Sequence, residues 1–158
     1  MISISRLLCD IKSPGDVLRY AKGSSEKSIS AAPAPVVVWN CTGRCNLNCI
    51  HCYAAAGKYS SKPELDTHSG KRLINDLADF RVPVLLFSGG EPLLRKDLFD
   101  LAYFAKNKGI TVALSTNGTL LDEDIAKELK RIGFSEVGIS IDGSEAVNDP
   151  VSYTHLRA

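Results

Sequence analysis

The chain has 158 residues, 44% of them hydrophobic, and its 19 Lys and Arg nearly cancel its 18 Asp and Glu, leaving a formal net charge of +1. That length suits one domain of ordinary size, and the charge balance argues against a nucleic-acid or anionic-membrane partner. No apolar run approaches the roughly 20 residues of a membrane helix, and the first ten residues, broken by Arg6 and Asp10, lack the apolar core of a signal peptide.

Residues 1–34 read as a polar leader and linker. Ser13-Pro14-Gly15 precedes a helical turn or two at Asp16–Ala21, and Gly23 to Pro35 is rich in Ser, Ala, Pro and Lys. Val36–Trp39 is a β-branched and aromatic run, expected as a strand buried on both faces. A cysteine-rich loop follows it, then a loop over 54–68. Thr67-His-Ser69 opens a helix to about Phe80, with Leu73, Ile74, Leu77 and Phe80 at helical spacing. Val82–Phe87 is a second strand, ending in Ser88-Gly-Gly-Glu-Pro92. Asp97 starts a helix through Asn107 with Leu98, Leu101 and Phe104 on one face, and Gly109 ends it. Ile110–Ser115 is a third strand, followed by Thr116-Asn-Gly118. Asp122 caps a third helix through Arg131, and Gly133 closes it. Glu136–Ile141 is a fourth strand, ending in Asp142-Gly143. Such β–α alternation predicts an α/β fold with a parallel sheet and right-handed crossovers. All four strand-end loops then gather at one edge, where α/β barrels place their functional loops.

Four of the five cysteines lie in Cys41-Thr-Gly-Arg-Cys45-Asn-Leu-Asn-Cys49-Ile-His-Cys52. An odd, clustered set does not read as a disulfide framework, and a reducing cytoplasm is the expected compartment. The spacing Cys45-x3-Cys49-x2-Cys52 lets one short loop wrap an inorganic centre. Three thiolates on a cubane cluster leave one iron open to a substrate or cofactor, as an open position distinguishes a catalytic zinc site. A structural zinc or a closed four-cysteine electron-transfer cluster would instead recruit Cys41. Cys41 itself reads as a small buried residue at a strand end, and Cys9, distant from the rest, as structural or incidental. His51 lies between two of the cysteines and can itself ligate a metal.

Cys45-Asn-Leu-Asn-Cys49-Ile-His-Cys52 resembles the signature of the radical S-adenosylmethionine (radical SAM) enzymes. The resemblance implies that Cys45, Cys49 and Cys52 hold a [4Fe–4S] cluster whose fourth iron is chelated by the amine and carboxylate of S-adenosylmethionine. Reductive cleavage of the cofactor would yield a 5′-deoxyadenosyl radical, with the electron coming from a low-potential donor such as a flavodoxin or ferredoxin. His51 fills the position next to the adenine. Ser88-Gly-Gly-Glu-Pro92 resembles the family's second motif, with the Ser88, Gly89 and Gly90 backbone and the Glu91 carboxylate facing the methionine ammonium. The resemblance places ribose contacts at the fourth strand, at Ser140 and Asp142, with Asn117 as a further candidate on the third-strand loop.

The implied fold is a partial parallel (βα) barrel over residues 35–149, with about four of the family's six βα units. Ser5–Asp10, Pro14–Tyr20 and Pro35–Asn40 are also similar to the leaders of radical SAM proteins of alternative haem and haem d1 biosynthesis, which implies an iron tetrapyrrole substrate. A peptide-modifying maturase and a non-catalytic four-cysteine module are the competing readings. Residues 150–158 resemble a translated sequencing-adaptor tail, so a fragment with a non-native end is expected.

Overall fold

The structure, a computed structural model, describes residues 35–59, 63–143 and Val151. Cys9, the turn expected at Asp16–Ala21 and the expected tail apart from Val151 lie outside the described residues. Four strands form one parallel sheet in the order β1-β2-β3-β4: β1 is Val37–Thr42, β2 Val84–Gly89, β3 Thr111–Thr116 and β4 Glu136–Ile139. Three helices alternate with them: α1 is Thr67–Asp79, α2 Leu98–Asn107 and α3 Glu123–Ile132. This is the sequential parallel order that a partial βα barrel requires.

The helices share one face of the sheet. Cys41, Leu85, Phe87, Val112 and Leu114 point to it and pack with Ile74 of α1, Leu98, Leu101, Ala102 and Ala105 of α2, and Leu129 and Ile132 of α3. Each large apolar side chain fully buried there stabilises the fold by about 1.5–3 kcal/mol. Trp39 leans on Phe87 at 5.7 Å between ring centroids. Gly70 lets α1 approach that pair, because a Cβ there would already meet Trp39 at 3.0 Å.

Several boundaries differ from the sequence expectations, each for a physical reason. β1 is not covered on both faces: alternate residues turn away from the helices, and Val38 is 55% exposed. The strand also runs on through Cys41 and Thr42, so the cysteine-rich stretch begins inside the sheet. β2 starts at Val84 rather than Val82, since Pro83 has no N–H for the ladder, and it extends to Gly89, which pairs with Thr42. α1 is capped by Asp66, whose carboxylate accepts the Ser69 N–H at 2.7 Å; the helix stops at Asp79 and leaves Phe80 65% exposed. β4 stops at Ile139 rather than Ile141 and, among the described residues, pairs only with β3.

The third helix follows expectation. Asp122 accepts the Ile125 N–H at 2.8 Å, and Gly133 closes the helix at φ 80°. Acidic Glu123 and Asp124 open it and basic Lys130 and Arg131 end it, matching the helix dipole.

Candidate functional site

The loop that leaves β1 closes on itself. The Cys45 N–H donates to the Gly57 carbonyl at 2.7 Å, and Arg44 and Gly57 form an isolated parallel bridge. Cys45, Cys49 and Cys52 lie within the segment pinched off by that bridge, all partly buried. Two backbone amides point at sulfur: Leu47 N–H donates to Cys45 Sγ and Ala56 N–H to Cys52 Sγ, both at 3.4 Å. The Ile50 N–H donates to the Val151 carbonyl at 3.2 Å. A concavity of about 570 Å³ opens beside Cys45, lined by Asn46, Leu47, Asn48 and Lys58. Among the described residues, no three His, Cys, Asp or Glu side chains gather around a point that one metal ion could occupy.

Cys41 sits elsewhere. It is 2% exposed, belongs to the core, and burial pushes its thiol up to about 12, which nearby Arg95 only partly offsets. A side chain packed into the apolar core is turned away from the loop that carries Cys45, Cys49 and Cys52. The closed four-cysteine reading fails on that point.

The loop after β2 is knitted to the cysteine loop. The Gly90 N–H donates to the Thr42 carbonyl and the Glu91 N–H to the Arg44 carbonyl, both at 2.8 Å. A Cβ on Gly89, which lies at φ 127°, would overlap the Thr42 carbonyl, and one on Gly90 the Arg44 carbonyl. In this structure, therefore, the glycines serve an approach between two backbones. Ser88 is buried, and its Oγ lies 3.5 Å from the Tyr53 hydroxyl, which also reaches Asn40 Oδ1 at 3.3 Å.

Glu91 has no exposed surface. Its Oε1 accepts the Thr116 hydroxyl at 2.8 Å and the Leu93 N–H at 3.1 Å, and its Oε2 accepts the Asn117 N–H at 2.8 Å. The carboxylate thus ties the end of β2 to the end of β3. The Asn117 side chain turns to the cysteine loop, donating to Asn46 Oδ1 at 2.9 Å and to Cys45 Sγ at 3.8 Å. At the end of β4 the Ser140 N–H donates to the Thr116 carbonyl at 3.0 Å, and Asp142 Oδ1 lies 3.4 Å from His51 Nε2. Loops from all four strands therefore meet at one edge, and every site residue expected from sequence lies there.

Sequence reasoning missed the support beneath them. Arg95 is buried; it donates to the Cys41 carbonyl at 2.8 Å and the Leu65 carbonyl at 2.7 Å, and lies over the Trp39 ring. Its guanidinium pairs with Asp97, 2.8 Å from Nε to Oδ1, and Asp97 also accepts the Thr67 hydroxyl at 2.7 Å. Burial opposes the charge on Asp97, but the Thr67 and Arg95 hydrogen bonds and the Arg95 charge outweigh it and hold the carboxyl below its ordinary range. Asp97 stands at the N-cap position of α2, yet caps nothing with its side chain. Glu64 accepts the Thr42 hydroxyl at 2.6 Å and the Gly43 N–H at 3.2 Å. The one sequence signal was a charge set among apolar residues, Leu93-Leu94-Arg95, and loop charges are too common for that to identify a partner.

Residues 39–156 match the radical SAM superfamily. The chain belongs to that superfamily. Fe-coproporphyrin III synthase of Methanosarcina barkeri is 51% identical over 154 residues, covering 94% of this chain and 39% of that protein. Pre-heme d1 synthase of Dinoroseobacter shibae is 49% identical over 117 residues, covering 74% of this chain and 29% of that protein. The chain thus spans well under half the length of these relatives. Among solved structures, native anSMEcpe with bound AdoMet superposes at a TM-score of 0.61 and 25% identity, over 73% of this chain and 34% of that one.

The cofactors of the radical SAM superfamily are a [4Fe–4S] cluster and S-adenosylmethionine, and the donor chemistry here suits them. Cys45 and Cys52 offer soft thiols whose sulfurs already receive N–H donors, the arrangement that stabilises charge on a cluster's thiolates. Cys41 is withheld in the core, so the loop offers three cysteines and no fourth. No helix among the described residues is long and apolar enough to cross a membrane.

Proposed function

We propose that this radical SAM chain belongs to an enzyme that modifies side chains of an iron tetrapyrrole in haem or haem d1 biosynthesis. The observation that carries the radical SAM chemistry is the pinched loop holding Cys45, Cys49 and Cys52, with Cys41 sequestered in the core. Those three cysteines would hold the [4Fe–4S] cluster. Bound together, cluster and S-adenosylmethionine supply a 5′-deoxyadenosyl radical by reductive cleavage.

The chain's own residues bind and orient. Gly89 and Gly90 lock the second loop against the first, and the backbone of Ser88, Gly89 and Gly90 would meet the methionine ammonium. Glu91, buried and fully engaged, positions these loops through Thr116 and Asn117. His51, paired with Asp142, would border the adenine, and Ser140 and Asp142 would hold the ribose hydroxyls. The tetrapyrrole substrate rests on the relatives named for Fe-coproporphyrin III and pre-heme d1. A reducing cytoplasm and a low-potential donor of the flavodoxin or ferredoxin kind complete the reading.

The test is electron paramagnetic resonance of the anaerobically reconstituted, reduced chain, with and without S-adenosylmethionine. A [4Fe–4S] signal that changes on addition is expected. A chain that assembles no cluster, or a cluster indifferent to the cofactor, would overturn the reading. Release of 5′-deoxyadenosine stimulated by a sirohaem-derived iron tetrapyrrole, and not by a peptide, is the expected mark of the substrate class; the reverse result would favour a peptide maturase.

A further inference from the structure

We infer that Asn117 is a positioning residue for the cluster, raising its reduction potential through a hydrogen bond to the Cys45 sulfur. This rests on the three-cysteine reading above. Its side chain donates to the Cys45 sulfur, whereas Leu47 and Ala56 reach Cys45 and Cys52 through backbone amides.

Its orientation is determined on three sides. The backbone N–H of Asn117 is held by Glu91 Oε2 at 2.8 Å. Its side-chain Oδ1 accepts two bonds from Thr119, the N–H at 2.9 Å and the hydroxyl at 2.7 Å. Asn46 closes the ring, accepting from Asn117 Nδ2 at 2.9 Å and donating to the Thr119 hydroxyl at 2.7 Å. Flipping the Asn117 amide would set its oxygen against Asn46 Oδ1 and the Cys45 sulfur, and its NH₂ against the Thr119 N–H. The network therefore admits one orientation, with Nδ2 aimed at Cys45 Sγ at 3.8 Å.

The consequence is electrostatic. A donor at a ligand sulfur stabilises negative charge there, and the reduced cluster carries one electron more than the oxidised one. The bond is stronger in the reduced state and favours reduction. A neutral donor at this length is a weak one, so a several-fold effect on the reduction equilibrium is expected rather than an all-or-none one. Glu91 extends the same chain by one step, because it holds the backbone from which the Asn117 side chain hangs.

The experiment is a redox titration, followed by paramagnetic resonance, of the reconstituted chain and of its Asn117→Ala and Asn117→Asp variants, with iron and sulfide measured in each. Asn117→Ala should lower the potential by a several-fold change in the reduction equilibrium. Asn117→Asp, which replaces the donor with a charged acceptor, should lower it further, by about tenfold or about 59 mV for a one-electron couple. Thr119→Val, which removes the hydroxyl bond but keeps the backbone N–H on Asn117 Oδ1, loosens the amide and should shift it in the same direction and by less. Equal potentials in all four proteins at equal cluster content would overturn the inference and leave the three-cysteine reading intact. A purely structural Asn117 would lower cluster content without ordering the potentials in this way, and that pattern also overturns it. A wild-type chain without a cluster overturns both readings.

Discussion

Replacing Gly90 with alanine tests the claim that two backbones, the cysteine loop and the loop after β2, must lie in direct contact. A Cβ at Gly90 would overlap the Arg44 carbonyl oxygen and come within 3.0 Å of Ala56 Cβ. Neither neighbour is the tip of a flexible side chain. Relief requires the loops to separate, which would break Gly90 N–H to Thr42 O and Glu91 N–H to Arg44 O, both 2.8 Å long. At a net 0.5–1.5 kcal/mol each, the two bonds account for about 1–3 kcal/mol, and residual overlap adds about the same. The expected loss of about 2–6 kcal/mol is large against a total stability of about 5–15 kcal/mol. Urea denaturation is the assay. With a slope of about 2 kcal/mol/M, the midpoint should fall by about 1–3 M. Gly57→Ala is the control, because a Cβ there meets nothing within 4 Å, and it should stay within about 0.5 kcal/mol of wild type. If the two variants have the same midpoint, the close-approach argument is wrong.

Other expectations follow from individual side chains. Asp97→Asn removes the charge facing buried Arg95 and should cost about 2 kcal/mol at neutral pH. Because the folded Asp97 carboxyl lies below its ordinary value, the wild-type advantage should be complete above about pH 4. It should vanish as pH falls through the depressed folded value, and a pH series of melts on both proteins checks this. Cys41→Ala should keep the iron and sulfide content of the reconstituted chain, since Cys41 lies in the core and not in the loop; loss of the cluster in that variant would restore the four-cysteine site. Thiol labelling of the native apo-chain at pH 8 should spare Cys41, buried and pushed up to about 12, while the partly exposed Cys45 and Cys52 react. Asp122→Ala should cost about 1 kcal/mol by leaving the Ile125 N–H uncapped, measurable as a lower urea midpoint.

Much of the fold was legible in the chain because its signals are local. The apolar runs at residues 84–87 and 111–114 are strands since their periodicity and β-branching suit a buried sheet. Asp122 and Gly133 bound α3 because a cap and a left-handed residue act within one turn. The misplacements at Val82, Phe80 and Ile141 fall at element ends, where a missing proline N–H, a helix that stops one residue early, or an edge with one partner decides the boundary.

The cysteine spacing, too, is a property of the sequence: three thiols within eight residues can wrap one centre whatever lies around them, and that pattern named the chemistry. What only the tertiary structure decided is which polar groups face each other. Cys41 stands four residues before Cys45, yet its strand turns it into the core while the loop carries Cys45 to the edge. Glu91 read as a cofactor ligand; folding also brings the end of β3 against it, so that its carboxylate ties two strand ends together. Asn117 read as a further candidate for a ribose contact; the ring through Asn46 and Thr119, which only folding forms, also brings it to the Cys45 sulfur, from 72 residues away in sequence. Arg95 carried no interpretable signal at all, since its partners at Cys41, Leu65 and Trp39 come from segments that only the packed sheet and helices bring together. Periodicity and spacing are written along the chain; a hydrogen bond between distant residues depends on positions that exist only once the sheet has formed.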